Sequence, residues 1–162
     1  MYWFLFLGAS LFQALPSTPQ TEINSQVWKP FIQHFNSNNT EGFMAVHSKD
    51  VIRSPRDAKV VWGWDAYRTQ QATGDKQDLA TNRKRTLELR FTERISNNDL
   101  AVEVGIYKTS YLLPNGQTQS FFGRFHVVLR KETGIWKILV DMDSTEGGTV
   151  GEKDFLAANP ME

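Results

Sequence analysis

No cysteine occurs in the 162 residues, which excludes disulfides and thiolate chemistry and leaves histidine and carboxylate side chains alone for any zinc-type site. Neither sign of charge is in excess, since 18 Lys and Arg balance 18 Asp and Glu. Such a chain has no net field to gather nucleic acid or an anionic membrane, so neither is expected as a partner. No apolar run reaches the roughly 20 residues that cross a bilayer, so stable membrane insertion is not expected. Histidine is scarce, and the three present, His34, His47 and His126, stand at no ligand spacing; no metal and no cofactor is expected. Internal repeats, charge blocks and low-complexity segments are missing as well. At this length one domain with one core is expected.

What the chain does have is aromatic mass: five Trp, eleven Phe and four Tyr, many of which need a core, a pocket or an interface to cover them. The opening MYWFLFLGASLFQALPSTPQTE is apolar from Met1 to Leu15 and then turns polar and Pro-rich. It reads as a secretory signal over residues 1–20, with Ala14 or Ser17 before the cut, and so as the leader of an exported protein, periplasmic or secreted. No Lys or Arg precedes the apolar run, and an amphipathic or buried N-terminal helix is the alternative. The domain itself is expected over residues 21–146. Residues 147–162, with Gly147, Gly148 and Gly151, read as a loosely attached tail with a helical turn near Lys153 to Ala158.

From Ile23 onward, Val27, Trp28, Phe31, Ile32 and Phe35 recur at helical spacing. Pro30 should kink this first helix or delay its regular part, because proline lacks the N–H donor. Thr40 can cap a short second helix in which Phe43, Met44 and His47 share a face. Val51 to Ser54 and Lys59 to Trp62 read as short strands, and a third helix is expected from Trp64 to Thr73 with Gly74 as its stop. The second half alternates with period two: Arg85 to Ser96, Leu100 to Leu112, Thr118 to Lys131 and Trp136 to Ser144 are expected strands. Helices first and an antiparallel meander afterwards define an α+β domain.

Two-residue turns at Asn97-Asn98 and Asn115-Gly116, and a three-residue turn at Glu132 to Gly134, sort the strands into two faces. One carries Leu87, Leu89, Phe91, Val102, Val104, Ile106, Phe125, Val127, Leu129 and Leu139, ending in Asp141 and Asp143. The other is mixed, with Glu88, Arg90, Glu103, Tyr107, Arg124 and His126 beside Trp136, Ile138, Val140 and Met142. The simplest cover for both is a curved sheet wrapped round the helices with its apolar outer face against a second copy, hence a homodimer. The mixed face then lines a pocket. A plainer reading makes Arg90, Glu103 and Arg124 an ion-pair cluster on a solvated face and His126 a structural histidine.

The run VWKPFIQHFNSNNTEGFMAVHSKDVIRSPRD, Gly63 before a helix with Ala66 and Tyr67, AVEVGIYK, and GRFHVVLRKETGIWKILVDMDS together resemble the nuclear transport factor 2-like superfamily, and within it the secreted bacterial SnoaL-like and ketosteroid-isomerase-like branch. The similarity spans about Ile23 to Ser144. The resemblance implies a cone-shaped, cystatin-like α+β fold in which a bent sheet encloses a pocket against about three helices, often in a dimer. It does not carry one activity across, since the fold hosts isomerases, cyclases and dehydratases alike. The aspartate base of the steroid isomerases falls at Ser54 here, and Val140-Asp141-Met142 stands where many relatives show a His-Asp-His run.

Three functions follow as expectations. The preferred one is a small-molecule pocket with Trp62, Tyr67, Tyr107 and Trp136 as walls, Glu103 and His126 among its polar groups, and Arg90 and Arg124 receiving an anionic group on an apolar or aromatic ligand. The second is an isomerase, cyclase or dehydratase in which His126 is the base, Tyr107 the proton donor and Arg124 the oxyanion stabiliser. The third is a protein-interaction module using the tail and the outer face.

Overall fold

The computed structural model describes residues 18–113 and 115–161. The proposed leader therefore lies outside the described residues, apart from the positions where helix α1 (Pro19–Ile23) begins. Thr18 caps α1 by accepting from the Thr21 N–H at 3.3 Å. A π-helical turn (Asn24–Trp28) leads into α2 (Lys29–Asn36), and the Lys29 N–H reaches back to the Asn24 carbonyl. The wide turn falls immediately before Pro30, which has no N–H to give and sits in the first turn of α2, where none is required. Asn39, not Thr40, caps α3 (Thr40–Ala45), and His47 opens strand β1 (His47–Pro55). Only Trp62 of the expected Lys59 to Trp62 strand pairs, in an isolated bridge to Arg53.

Helix α4 (Trp64–Ala80) runs through Gly74 instead of ending there. Four long strands follow, β2 (Lys84–Ser96), β3 (Leu100–Leu112), β4 (Thr118–Glu132) and β5 (Ile135–Ser144), within a residue of their expected bounds. Helix α5 (Glu152–Ala157) and the short β6 (Asn159–Pro160) close the chain. The sheet is six-stranded and mixed, in the order β1-β5-β4-β3-β2-β6, with β1 parallel to β5 and the other pairs antiparallel.

The faces differ from the expected sorting, for three identifiable reasons. A bulge between Phe91 and Glu93 sets Arg94 opposite Glu103 but Arg90 opposite Ile106, so the two arginines take opposite sides. The β3–β4 turn closes with the Leu113 N–H on the Gln117 carbonyl, one residue wider than a two-residue turn. Tyr107 then faces Gly123 and Ile106 faces Arg124, which reverses every assignment between these strands. The β4–β5 turn is the shorter one, Thr133-Gly134 with φ of 48° and 84°, and a second bulge after Ile138 moves Val140 and Asp141 by one.

The inner face consequently carries Leu87, Leu89, Phe91, Glu103, Tyr107, Phe125, Val127, Leu129, Trp136, Ile138, Asp141 and Asp143. It packs on Ile23, Val27 and Trp28 to form the main core. The apolar face expected to lie outside is therefore, for β2 and β4, the covered one. Gly105 belongs to this packing, because the Phe125 ring crosses it and an added Cβ would overlap both that ring and the Arg90 carbonyl.

The tail is held, contrary to the expectation that it is loose. Val150, Phe155 and Ala158 pack on Ile106 and Phe122 of the outer face. Residues Asn159 and Pro160 pair with Phe91 and Arg90, and the Arg90 guanidinium donates to the Leu156 and Ala158 carbonyls at 3.3 and 3.2 Å. Covering Ile106 and Phe122, which the register turns outward, supplies the driving force, and β6 protects part of the β2 edge.

Candidate functional site

Helices α2, α3 and α4 do not press evenly onto the inner face. Between them and the sheet lies a cavity of about 440 Å³. Its apolar wall comes from Trp28, Phe31, Phe35, Phe43, Leu89 and Phe125, and Trp62 and Tyr67 close one side. Aromatic rings pack on one another around it, Phe31 and Phe43 tilted with centroids 4.6 Å apart and Phe43 and Tyr67 edge to face at 5.9 Å. This packing fixes the rings' orientation.

One end of the cavity is polar, built from the parallel pairing of β1 with β5. That register sets Arg53 beside Asp141 and brings Asp143 to Pro55. The Arg53 guanidinium donates to Asp143 Oδ2 at 2.9 Å and to the Asp141 carbonyl at 3.3 Å, and it lies 3.6 Å from Asp141 Oδ1. The Tyr67 hydroxyl donates to Asp141 Oδ2 at 2.7 Å. His47, with a side chain 0% exposed, has Nδ1 3.0 Å from the Phe43 carbonyl. A carbonyl only accepts, so Nδ1 carries a proton and Nε2 is the atom turned to Asp141, 3.6 Å away. Among the described residues His47 Nε2 and Arg53 Nε have no hydrogen-bond partner.

These surroundings separate the two aspartates. Burial alone would raise Asp141, yet Arg53, His47 and the Tyr67 hydrogen bond hold it well below the usual carboxylate range. Asp143 is raised: burial outweighs the pull of Arg53, and the neighbouring Asp141 and Asp57 charges add to it. Burial also pushes Tyr107 up to about 12, with Asp143 and Asp57 contributing, and Tyr67 well above its ordinary value, with Asp141 contributing. The cavity end thus offers an ionised carboxylate, a second carboxyl group of raised proton affinity, a guanidinium and two protonated phenols.

The opposite end is a closed ion-pair node. Arg85 pairs with Asp75 and, at 3.0 Å, with Asp78, and its Nε donates to the Phe35 carbonyl at 2.8 Å. Thr40 and Gln71 donate to Asp75 at 2.5 and 2.9 Å. Every charge there has a partner, so this node ties α2, α3 and α4 to β2.

Of the residues singled out from the sequence, Tyr107, Tyr67 and Trp62 line the cavity. Trp136 and Glu103 are on the same face but belong to the core. Trp136 is 0% exposed, and Glu103 accepts from Trp28 Nε1 at 2.5 Å and from Arg94 Nε at 2.9 Å. Arg90, Arg124 and His126 are on the outer face, so the anion-receiving and catalytic roles expected of them in the pocket are not available to them. Arg90 fastens the tail, Arg124 Nε donates to Glu146 at 3.1 Å, and His126 has its pKa lowered by partial burial and by the Arg56 and Arg124 charges. Arg53, His47, Asp141 and Asp143 were not picked out as site residues. The signal for the aspartates was present, two carboxylates at alternate positions in an otherwise apolar strand; Arg53 and His47 become neighbours of them only through the parallel pairing.

No protein-family model matches the chain, and no curated protein sequence does. Solved structures do match. A nuclear transport factor 2-like (NTF2-like) protein of unknown function from Shewanella oneidensis MR-1 aligns with 78% of this chain and 99% of its own at 19% identity and a TM-score of 0.61. An NTF2-like superfamily protein from Salmonella enterica serovar Typhimurium LT2 aligns with 77% of this chain and 89% of its own at 20% identity and a TM-score of 0.62. An NTF2-like protein of unknown function from Pseudomonas putida KT2440 aligns at 16% identity over 77% of this chain and 84% of its own, with a TM-score of 0.61. These likenesses establish an α+β, NTF2-like fold, with N-terminal helices against a six-stranded mixed sheet.

Proposed function

We propose that the cavity binds a small, largely apolar molecule, in the manner of a SnoaL-like pocket protein, with a neutral hydrogen-bonding group turned toward Asp143 and Tyr107. The observation that carries this reading is the cavity's composition, in which aromatic and aliphatic walls converge on a few polar groups at one end. A ligand carbonyl would accept from Tyr107, and a ligand hydroxyl would donate to Asp143. An anionic group is disfavoured at this end, because Arg53 is already matched by two carboxylates.

Gly74 supplies the test. It lies inside α4, where glycine costs roughly 1 kcal/mol relative to alanine, yet it lines the cavity and an added Cβ there meets nothing within 4 Å. Gly74→Ala is expected to stabilise the fold by about 0.5 to 1 kcal/mol. Gly74→Leu should fill space at the cavity and lower ligand occupancy with the fold intact. Native mass spectrometry of protein recovered from cells reads this as a small-molecule adduct present in the parent and depleted in Gly74→Leu. An adduct equally retained in Gly74→Leu would place the ligand elsewhere.

The same spectrum addresses two further parts of the proposal, a second copy on the outer face and export. Ile95, Val102, Val128, Val140 and Ile52 stand opposite one another across β2, β3, β4, β5 and β1, and Ile95, Val102 and Ile52 are exposed. This β-branched row crosses five strands, roughly 19 Å at the usual strand spacing, beside the area the tail already covers. Twice the chain mass and loss of the apolar opening are expected. A monomer, or an intact Met1 to Leu15, counts against the corresponding part.

A second reading is an acid-base enzyme of the isomerase or dehydratase type. It is favoured by Asp143 and Tyr107 sharing the cavity with raised proton affinities. Asp143, not His126, is then the partner of Tyr107. Asp143→Asn should abolish turnover of the bound molecule while leaving the adduct in place; unchanged turnover would remove this reading.

A further inference from the structure

The cavity is bordered by Tyr107 and Thr109. These two residues also line a second depression of about 440 Å³, on the inner face of the β3–β4 hairpin with Arg83, Tyr111, Gln119 and Phe121. Thr109 faces Phe121 and Tyr111 faces Gln119 across the strands. The Tyr111 and Phe121 rings meet edge to face with centroids 6.0 Å apart. Phe121 is 46% exposed, an aromatic surface left in water next to a ligand-sized cavity. The Arg83 guanidinium stands 5.3 Å from the Tyr111 ring and holds Asp78 at 3.2 Å. Asp78 is buried while Arg83 is partly exposed, so the positive end of that pair is the one presented to solvent. Between the two spaces Tyr107 lies against Gly123, where any Cβ would overlap its ring.

We propose that the cavity and this depression form one elongated site. Its ligand keeps an apolar end among Phe31, Phe43 and Phe125, passes Tyr107, lays a second apolar or planar segment along Tyr111 and Phe121, and ends in an anionic group beside Arg83. This rests on the cavity being a binding site, and adds the shape and polarity of the molecule it takes. It also places the anionic end away from Asp141 and Asp143, beside the partly exposed Arg83.

Saturated carboxylates from octanoate to stearate, and the matching alcohols, test it by calorimetric titration of the full-length protein and of the double variant Tyr111→Ser, Phe121→Ser. In the parent protein affinity should rise about threefold to fourfold per added CH₂, the fold-change expected for burying one methylene, and should continue to rise into the long members. The double variant should match the parent for octanol, which fits within the inner cavity, and lose about tenfold or more for palmitate. Arg83→Gln should weaken the carboxylates and spare the alcohols. A double variant whose gain with length equals the parent's overturns the elongated site and leaves the cavity reading standing. Failure of every member to bind the parent overturns both. Because Phe121 is exposed, thermal melts of the variants should coincide with the parent's, and a large drop would assign Tyr111 and Phe121 to folding instead.

Discussion

Asp141→Asn is expected to lower stability by about 3 kcal/mol or more, while Asp143→Asn, two residues along the same strand, is expected to change it by less than about 1 kcal/mol at neutral pH. Both carboxylates touch Arg53, so the contrast comes from their surroundings. Asp141 sits between Arg53, His47 and the Tyr67 hydroxyl. An asparagine there can still accept from Tyr67, but it leaves the Arg53 guanidinium short of one buried countercharge, the expensive way to break a buried pair. Asp143 is held by Arg53 alone and its ionised form is already disfavoured by burial, so a neutral amide of the same shape gives up little.

The pH dependence should separate them further. The folded value of Asp141 lies below its unfolded value, so its contribution is present above the ordinary aspartate range and is lost as the pH falls through it. For Asp143 the order is reversed. The folded value lies above the unfolded one, its contribution is complete below the ordinary range, and it declines as the pH rises toward the raised value. Urea denaturation over an acidic to neutral pH series should show Asp141→Asn losing the acid-side slope of the parent, and Asp143→Asn losing a decline of opposite sign. Equal costs for the two substitutions at neutral pH would show that the aspartates act as one unit.

How far the sequence was readable follows from what each feature depends on. Strands β2 to β5 were legible within a residue because alternation is local and each run is bounded by turn residues. Face assignment is not local. A single inserted residue reverses every side chain beyond it, and three such steps occur here: the bulge before Glu93, the wider turn between Leu113 and Gln117, and the bulge after Ile138. Tyr107 lines the cavity while Arg124, expected as its neighbour, lies on the opposite side. Arg53 and Asp141 are separated by 88 positions, and only the parallel β1–β5 contact joins them. The usual rule for helix ends makes Gly74 a stop, but α4 continues through it to Ala80, with open space where its side chain would be.

Glu103 carries the other large effect. It was expected as a pocket group and is instead a fully buried carboxylate, 0% exposed, that holds Trp28 Nε1 at 2.5 Å and Arg94 Nε at 2.9 Å. Arg94 also donates to Asn24 Oδ1 at 2.6 Å and stacks 4.2 Å from the Phe91 ring centroid. The single carboxylate thus ties the π-helical turn, β2 and β3 around the two rings at the centre of the core. Glu103→Ala should cost about 3 to 5 kcal/mol, since it opens a void and leaves the Trp28 N–H and the Arg94 charge without their acceptor. Burial raises Glu103, against the opposing pull of Arg94 and Trp28; glutamine keeps its shape and an acceptor for Trp28 Nε1, so Glu103→Gln should cost clearly less than alanine. If the cost of Glu103→Ala comes mainly from the stranded arginine, Arg94→Leu in the Glu103→Leu background should recover a large part of it, because apolar replacement of a whole buried pair is often neutral or better. A double-mutant cycle by urea denaturation measures that coupling. Additive losses would mean that Glu103 and Arg94 contribute through packing alone.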